Sequence, residues 1–404
     1  MGFHHGLSGL NAASKSLDVS GHNIANSNTI GFKKSRAEFN EMVASAMGSG
    51  QCPGSAGAGI GVSVAAVTQQ FSQGVITPTA NGLDMAINGD GFFVVNTPSG
   101  TAYTRNGAFQ LDKNGFLVTA NGDKVQGWAD ANATGTQPVD LQFPTGAGIP
   151  GRQTTGLSIQ AANLPATAPD ATSVTPNTPR HTYGTSLQVY DSQGVAIPVE
   201  VYFVKNGSNT WDVYDSLDPA ATPVGQVQFD GEGKFASTTV TTLNVNPSVA
   251  NPNNPPAPFT VTLDLSGMTQ NDRKWSVDKM TQDGYASGEL TGVNVSKDGT
   301  LMASYSNGLT RPEGKVALAR FTNPQGLAPN GNNNWVQTND SGPVLYGSAG
   351  SGSFGQIKGA ALEESNVDLT AELVGMMTAQ RSYQANAQTI KTQDQVFSTL
   401  VNLR

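Results

Sequence analysis

The residues that could perform chemistry in this chain lie in patterns that also have simple structural explanations. Gly350, Gly352 and Gly355 have the G-x-G-x-x-G spacing, in which glycines admit a dinucleotide pyrophosphate that a helix N-terminus then binds. That chemistry requires a helix directly after the glycines. Here the sequence continues Gln-Ile-Lys-Gly, and a better helix start follows only about ten residues later. The pattern therefore predicts a glycine-rich β-turn and no bound cofactor.

The histidines and the cysteine show no metal-binding or nucleophile pattern. The chain has four histidines (His4, His5, His22 and His181) and one cysteine, Cys52. None of the histidines has the spacing of zinc ligands, and a single cysteine excludes an intramolecular disulfide. His181 is expected to begin a strand, and no G-x-S-x-G turn is present to supply a serine nucleophile. We expect a non-enzymatic protein without a metal, but carboxylate pairs for glycoside hydrolysis stay open because their spacing is a tertiary property.

The charge balance narrows the class of partner. The 404 residues include 22 basic and 30 acidic side chains, and the charged fraction of 13% is about half the usual value. This composition argues against a nucleic-acid binder. No apolar run reaches the length of a membrane span, so we expect no membrane insertion. The N-terminus lacks the pattern of a cleavable signal, which indicates the cytoplasm or export by a route that leaves the N-terminus intact.

The densest basic cluster consists of Lys33, Lys34 and Arg36. Three neighbouring charges are typical of a solvated bend after a helix, and this is the interpretation that we prefer. A phosphate contact or a surface that faces a partner is the alternative.

Four short segments share one turn pattern, in which glycine follows a polar residue after three positions. They are residues 112–115, 191–194, 230–233 and 296–299. Strand-like residues flank each segment, so we predict β-hairpins closed by a type I turn and a left-handed glycine. The first segment differs from a calcium loop, since its glycine stands at the fourth position and not the sixth.

The two ends of the chain carry apolar residues at heptad spacing, which is typical of helices that pack along a common seam. The residues that we predict to form this seam are Phe3, Leu7, Leu10, Leu17, Ile24, Leu369, Leu373, Met376, Tyr383, Ile390, Phe397 and Val401. From Asn366 onward the sequence has no proline and a single glycine, so one long helix is predicted, capped by Ser365 or Asp368.

The other faces of these helices are unusual for a water-exposed surface. Residues 3–32 contain only Lys15 and Asp18 as formal charges, and the C-terminal helix is rich in glutamine, asparagine and threonine. Such a helix can simply cover the core of its own domain. We favour a second interpretation, because the apolar side chains of one helix pair recover less free energy than the ordering of its backbone costs. On this interpretation further helices pack around the pair in an assembly.

Three segments interrupt the predicted elements. Residues 43–61 are rich in glycine, serine and alanine and are predicted to be a flexible connector. Residues 144–156 are predicted to be a domain boundary, and residues 251–256 a loop inside a domain.

The terminal motifs resemble those of a known family. Residues 7–13, 17–19, 23–26 and 29–33 resemble the N-terminal signature of bacterial flagellar rod and hook proteins. The matching C-terminal signature is similar to residues 365–369, 372–374, 379–381, 383–384 and 387–395. Residues 83–87, 91–93 and 103–107 resemble the first β-domain of these proteins. His4, His5 and Cys52 have no counterpart in the pattern.

The middle of the chain distinguishes the hook from the rod within this family. Residues 189–194, 201–205 and 209–211 resemble the outer domain of hook subunits, and residues 323–327 and 350–355 also match the hook pattern. Distal rod subunits are shorter and lack such an insert. The insert at residues 146–284 therefore argues against a distal rod subunit, which is the first alternative. The second alternative is a secreted β-rich carbohydrate-binding or hydrolytic protein.

The resemblance implies a mainly β fold with terminal α-helices, in which a second β-domain is inserted into a discontinuous β-domain. The expected parts are a helical coiled coil of residues 1–30 and 364–404, a connector of residues 31–70, a β-domain of residues 71–145 and 285–363, and an outer β-domain of residues 146–284. It further implies a subunit that self-assembles into a curved tube, which transmits torque as a universal joint. The implied partners are the distal rod protein, the hook cap protein, the hook-filament junction protein and the flagellar type III export apparatus. An extracellular location without signal cleavage is also implied.

Overall fold

The computed structural model describes residues 2–43, 59–130, 137–143, 148–171, 183–218, 221–247 and 256–402. The chain divides into two compact units. The first consists of Met1–Phe143, Gly292–Ala303 and Thr310–Arg404, and the second of Pro144–Thr291 and Ser304–Leu309. Both units are built mainly of strands, and one helix lies at each end of the chain. The predicted fold class is confirmed, whereas the finer division into three domains and a connector stays a prediction.

The two helices are α1, Gly2–Ala25, and α2, Leu369–Asn402. At 34 residues, α2 is about 50 Å long, as the uninterrupted sequence predicted. Of the two candidate caps, Asp368 is the N-cap, because its Oδ1 accepts the backbone N–H groups of Thr370 (2.9 Å) and Ala371 (3.1 Å). Ser365 instead accepts the N–H of Val367.

The segment predicted as a connector contains a β-hairpin. Strands β1, Ser35–Val43, and β2, Gly59–Gln69, pair antiparallel from Ser35 opposite Gln69 to Val43 opposite Gly59. The prediction of a flexible connector over residues 43–61 is thus wrong at both ends, where backbone pairing overrides the small-residue composition. Residues 44–58, with Cys52, lie outside the described part of the chain.

The first unit contains the large sheet and two short ribbons. The ribbons are β3 (Ile76–Pro78) with β28 (Ala361–Glu363) and β4 (Met85–Asn88) with β27 (Gln356–Gly359). The sheet combines strands from before and after the second unit in sequence. It contains β5 (Phe92–Thr97), β6 (Gly100–Thr104), β7 (Phe109–Leu111), β8 (Leu117–Thr119), β9 (Lys124–Trp128), β10 (Val139–Asp140), β21 (Leu290–Val295), β22 (Thr300–Tyr305), β23 (Thr310–Arg320), β24 (Ala328–Pro329), β25 (Asn334–Val336) and β26 (Leu345–Ser348). Strand β23 pairs with β5, β9 and β26, so residues far apart in sequence close this sheet.

An aromatic cluster forms the core beside this sheet. Phe92 packs edge-on against Phe71, Phe321 and Trp335, with ring centroids 5.5 to 6.1 Å apart. Edge-to-face rings stabilise a core beyond their buried area. The core therefore gives the terminal segments a firm body to attach to.

The second unit has two sheets of five strands each. One contains β11 (Gly156–Pro165), β17 (Thr242–Val245), β18 (Phe259–Asp264), β19 (Met268–Asn271) and β20 (Ser276–Gln282), and the other contains β12 (Tyr183–Tyr190), β13 (Ala196–Lys205), β14 (Thr210–Tyr214), β15 (Gly225–Phe229) and β16 (Phe235–Thr238). Buried side chains from both sheets form one hydrophobic cluster. His181 and residues 251–255, for which a strand start and a loop were predicted, lie outside the described residues.

The four predicted hairpin turns are confirmed. In each, the glycine N–H donates to the carbonyl three residues earlier, over 2.9 to 3.1 Å, and the glycine φ lies between 77° and 82°. The turn residues are those of 112–115, 191–194, 230–233 and 296–299. Asp112, Asp191 and Asp230 add side-chain bonds to the backbone N–H groups two and four residues later.

The glycine-rich segment of residues 350–355 is a turn between β26 and β27. The N–H of Gly350 donates to the carbonyl of Gly355 over 3.0 Å, and a strand follows directly. The predicted β-turn is confirmed, since the segment does not open a helix that could hold a phosphate.

Candidate assembly surface

The two terminal helices pack together through small residues. Gly6 lies against Ile390, and Gly9 lies against Asn386, so a residue further along α1 meets a residue earlier in α2 and the helices are antiparallel. A Cβ atom at Gly6 or Gly9 would come within 2.8 Å of the Ile390 or Asn386 side chain, so a larger residue there would require that side chain or its helix to shift. Ala13 and Ala379 are buried in the same region. This close approach therefore depends on small side chains.

The heptad pattern did not predict this contact, because glycine is not among its apolar residues. The signal was the repeat of small residues at Gly2, Gly6, Gly9 and Ala13, at steps of three and four. Such steps place residues on one helix face.

The predicted seam residues divide into two groups. In α1, Leu10, Leu17 and Ile24 are half-buried, while Phe3 and Leu7 are exposed. In α2, Met376 and Ile390 are half-buried, whereas the exposed members are Leu369, Leu373, Tyr383 and Phe397. Val401 belongs to α2, and its side chain lies outside the described part of the structure. Only some of the seam is thus used within the chain.

The N-terminal half of α2 carries an exposed apolar stripe. Leu369, Leu373 and Met377 follow one another at steps of four, and their exposed fractions are 47%, 45% and 52%. Residues four apart lie on the same face of a helix. This stripe is therefore a continuous apolar surface that no described part of the chain covers.

The C-terminal end of α2 continues past its contact with Gly6. Gly6 of α1 packs on Ile390, and α2 continues for another 12 residues to Asn402. Phe397 follows Ile390 after seven residues, so it lies on the same side of α2, and it is 56% exposed.

Two buried or half-buried asparagines attach the helices to the hairpin. Asn23 of α1 makes both bonds of its amide with the backbone of Ser35, donating over 2.8 Å and accepting over 2.9 Å. Asn366, just before α2, accepts the N–H of Lys34 over 2.8 Å and donates to the carbonyls of Gln70 and Ser72. Each amide uses its donor and its acceptor, so it fixes backbone direction as well as distance.

Beside these asparagines lies a buried ionic cluster, Lys33, Arg105 and Glu363, which we call the junction cluster. Lys33 Nζ donates to Glu363 Oε1 over 2.6 Å, and Arg105 NH1 donates to Glu363 Oε2 over 3.1 Å. The backbone N–H of Gly74 also donates to Glu363 Oε1. The side chains of Lys33 and Glu363 are fully buried, and that of Arg105 is 4% exposed. The prediction that Lys33 lies in a solvated bend is therefore wrong. Lys33 is buried because it pairs with Glu363, the last residue of β28.

Burial and neighbouring charges shift the pKa values of both cations in the junction cluster. Burial lowers the pKa of Lys33 below its usual value, Glu363 opposes that shift, and Arg105 adds to it. Burial likewise lowers the pKa of Arg105, against the opposing effect of Glu363. One carboxylate thus holds two desolvated cations.

The backbone of the segment after α1 is fixed at the same place. Gly31 has φ +69° and lies so close to the Arg105–Asn106 peptide that a Cβ would come within 2.5 Å of the Asn106 nitrogen. Its N–H donates to the carbonyl of Glu363 over 2.8 Å. Only glycine has both the conformational freedom and the space for this position.

Within the described ranges, histidine, cysteine, aspartate and glutamate form no group of three that could hold a metal ion. Neither described helix combines the length and hydropathy that a membrane crossing requires.

Comparisons with known proteins agree along the whole chain. Four family profiles match in order: "Flagella basal body rod protein" over residues 3–33, "Flagellar hook protein FlgE/F/G D1 domain" over residues 86–174, "Flagellar basal body protein FlaE D2 domain" over residues 163–285, and "Flagellar basal body rod FlgEFG protein C-terminal" over residues 358–403. These matches define the class as a rod-and-hook protein of the bacterial flagellum.

Full-length relatives narrow the class. The chain is 43% identical to the flagellar hook protein FlgE of Escherichia coli, with all of both chains covered. It is 35% identical to that of Rhizobium meliloti and 33% identical to that of Borreliella burgdorferi, with at least 98% of each chain covered. The chain belongs to the flagellar hook protein FlgE family. These findings do not favour a distal rod subunit or a secreted carbohydrate-binding or hydrolytic protein.

A solved structure shares the fold. The Helicobacter pylori flagellar hook protein FlgE2 superposes with a TM-score of 0.51 at 16% identity, over 71% of this chain and all of the other.

Proposed function

We propose that this chain is a structural subunit of the flagellar hook that assembles through its terminal helices into a curved, flexible tube. The tube transmits torque from the rod to the filament as a universal joint. The observation that carries this proposal is the exposed apolar stripe of α2, in a chain of the FlgE family.

The exposed apolar surface of α2 supports this proposal. Large apolar side chains that stay exposed along one element are typical of an interaction site. The stripe of Leu369, Leu373 and Met377 lies on a face of α2 that stays exposed beside α1, and Phe397 lies beyond the contact between Gly6 and Ile390. Neighbouring copies supply further helices of the same kind. The whole predicted seam, from Phe3 to Val401, then belongs to the packing between subunits as well as within one.

The proposal includes the domain roles and partners expected of such a subunit. Residues 1–30 and 364–404 would be innermost, residues 31–70 would connect them to the β-domain of residues 71–145 and 285–363, and residues 146–284 would be outermost. Besides itself, the subunit would bind the distal rod protein, the hook cap protein and the hook-filament junction protein. It would leave the cell through the flagellar type III export apparatus, without signal cleavage, and have no catalytic role.

Substitution in the stripe tests the proposal. Leu373→Gln removes an apolar contact that only a neighbouring copy makes, so the concentration needed for polymerisation is expected to rise on the order of tenfold or more. Removal of residues 369–404 is expected to abolish polymerisation. Sedimentation and negative-stain electron microscopy of concentrated protein measure both.

The matched control is Leu345→Gln, because Leu345 is also an exposed leucine (57%) but lies in β26. It is expected to polymerise like the unmodified chain. Equal polymerisation of the Leu373 and Leu345 variants would contradict the proposal.

A further inference from the structure

The junction cluster joins three parts of the chain that are distant in sequence. Lys33 follows α1, Arg105 follows β6 of the large sheet, and Glu363 ends β28, shortly before α2. Lys33 Nζ also donates to the carbonyl of Ser72 over 2.7 Å, and Arg105 NH2 donates to that of Gly89 over 2.8 Å. Both terminal helices therefore leave the β-domain beside one carboxylate.

Hydrogen bonds of Asn333 fix the backbone where α1 leaves the β-domain. Asn333 donates from Nδ2 to the carbonyl of Ile30 over 3.1 Å, and its own carbonyl accepts the hydroxyl of Thr104. Asn332 and Asn333 both have positive φ, 52° and 57°, a conformation that non-glycine residues seldom adopt. Asparagine adopts this left-handed conformation more readily than most non-glycine residues, and the loop from β24 to β25 thereby holds Asn333 against the exit of α1.

The cluster is poorly arranged for stability alone. Two cations share one carboxylate, and the Nε of Arg105 is buried without a hydrogen-bond partner. Apolar side chains of similar volume would avoid the desolvation of these charges and often stabilise as well or better. What ionised hydrogen bonds supply, and apolar contacts lack, is a defined geometry.

We propose that Glu363 is a positioning residue, which sets the angle at which α1 and α2 leave the β-domain and thereby the curvature and helical repeat of the polymer. This inference rests on the proposed assembly through the terminal helices. A shift of the exit angle is multiplied along α2, because its far end is about 50 Å away.

The first test changes geometry and keeps charge. Glu363→Asp shortens the side chain by one methylene, so the carboxylate no longer reaches both cations. The matched control is Glu364→Asp, at the exposed neighbouring position. Electron microscopy of the polymers is expected to show a changed curvature or helical repeat for the Glu363 variant, and the unmodified form for the Glu364 variant. Identical polymers from both variants would overturn the proposal.

The second test separates position from stability. A variant with Lys33→Met, Arg105→Met and Glu363→Met replaces the cluster with apolar side chains. We expect its monomer to melt like the unmodified chain, while its polymers are altered or absent. Polymers of unmodified form would show that the cluster only stabilises the fold.

A dilute-protein measurement decides the question if a variant does not polymerise. In Glu363→Gln, limited proteolysis within residues 26–34 and 364–368 is expected to be at least about tenfold faster than in Glu364→Gln, because two buried cations lose their partner. Equal cleavage of both variants would overturn the proposal. If the unmodified chain and the Glu364 variants fail to polymerise, the proposed assembly fails instead, and this cleavage ratio still tests the role of Glu363.

Discussion

The inserted β unit and the terminal helices meet the requirement to bury apolar surface in opposite ways. In the inserted unit, twenty buried side chains from the two sheets and their connections form one cluster, with Trp211, Phe203 and Leu164 wholly inaccessible. In α2, the large side chains of Leu373, Met377 and Phe397 remain about half-exposed along one helix. The first region completes its core within one chain, and the second does not.

This difference assigns stability and assembly to separate parts of the molecule. A core that is already buried within one chain gains nothing further from a neighbour by the hydrophobic effect. The helices can still gain from a second copy, and polar bonds at the junction cluster hold them meanwhile. Substitutions in the two regions should therefore change different measurable properties.

The largest expected effect on the monomer is in the inserted unit. Trp211 is fully buried, and its Nε1 donates to Gln270 Oε1 over 3.1 Å. Trp211→Ala leaves a cavity and removes the donor to the Gln270 amide oxygen, and should lower the free energy of unfolding by about 3–5 kcal/mol. Calorimetry of the full chain measures it. Leu217→Ala, at a residue 54% exposed in the same unit, should stay within about 0.5 kcal/mol. Similar values for both would remove the basis of the comparison.

A smaller effect should depend on pH and come from the junction cluster. Because burial lowers the pKa of Lys33 below 10.5, the unfolded chain binds more protons than the folded chain between the two pKa values. The contribution of Lys33 to the free energy of unfolding therefore rises with pH in that window, by at most about 1.4 kcal/mol per pH unit.

The measurement is the difference in unfolding free energy between the unmodified chain and Lys33→Met, from neutral pH to 10.5. It should increase with pH. A difference that declines with rising pH for Lys33 would be inconsistent with a desolvated lysine.

The smallest effect on the monomer should accompany a clear effect on assembly. Phe397→Ala should change the free energy of unfolding by no more than about 0.5 kcal/mol, because the side chain is already exposed. Its loss from a subunit interface should raise the polymerisation concentration roughly 10- to 100-fold. Leu345→Ala is the control for assembly and should leave that concentration unchanged. A marked loss of monomer stability in Phe397→Ala would show that α2 is complete without a neighbour.

Local features of the fold were predictable because the residues that cause them are adjacent. Asp112 and Gly115 form their turn through bonds within five residues, and Asp368 caps α2 through its nearest N–H groups. The pairing of β1 with β2 was not predicted, although residues 59–71 alternate as short valine-rich segments, because alternation does not show which strand lies opposite. This pairing is supported by Asn23 and Asn366, which are distant in sequence.

The candidate site was predictable only in outline. Heptad spacing indicated which residues of the helices are apolar, and family resemblance indicated that they assemble. Neither pattern showed that Gly6 and Gly9 form the contact between α1 and α2. That contact depends on the antiparallel offset of the two helices, which the β-domain sets by holding both of them.

The sequence by itself determined the helices, the turns and the family, since periodicity, capping and turn chemistry act over a few residues. Only the tertiary structure decided that Lys33 is buried and that the apolar stripe of α2 stays open. Lys33 and Glu363 are 330 residues apart, and no local sequence pattern predicts that these two side chains are buried as an ion pair. Burial depends on which distant segments the fold brings together.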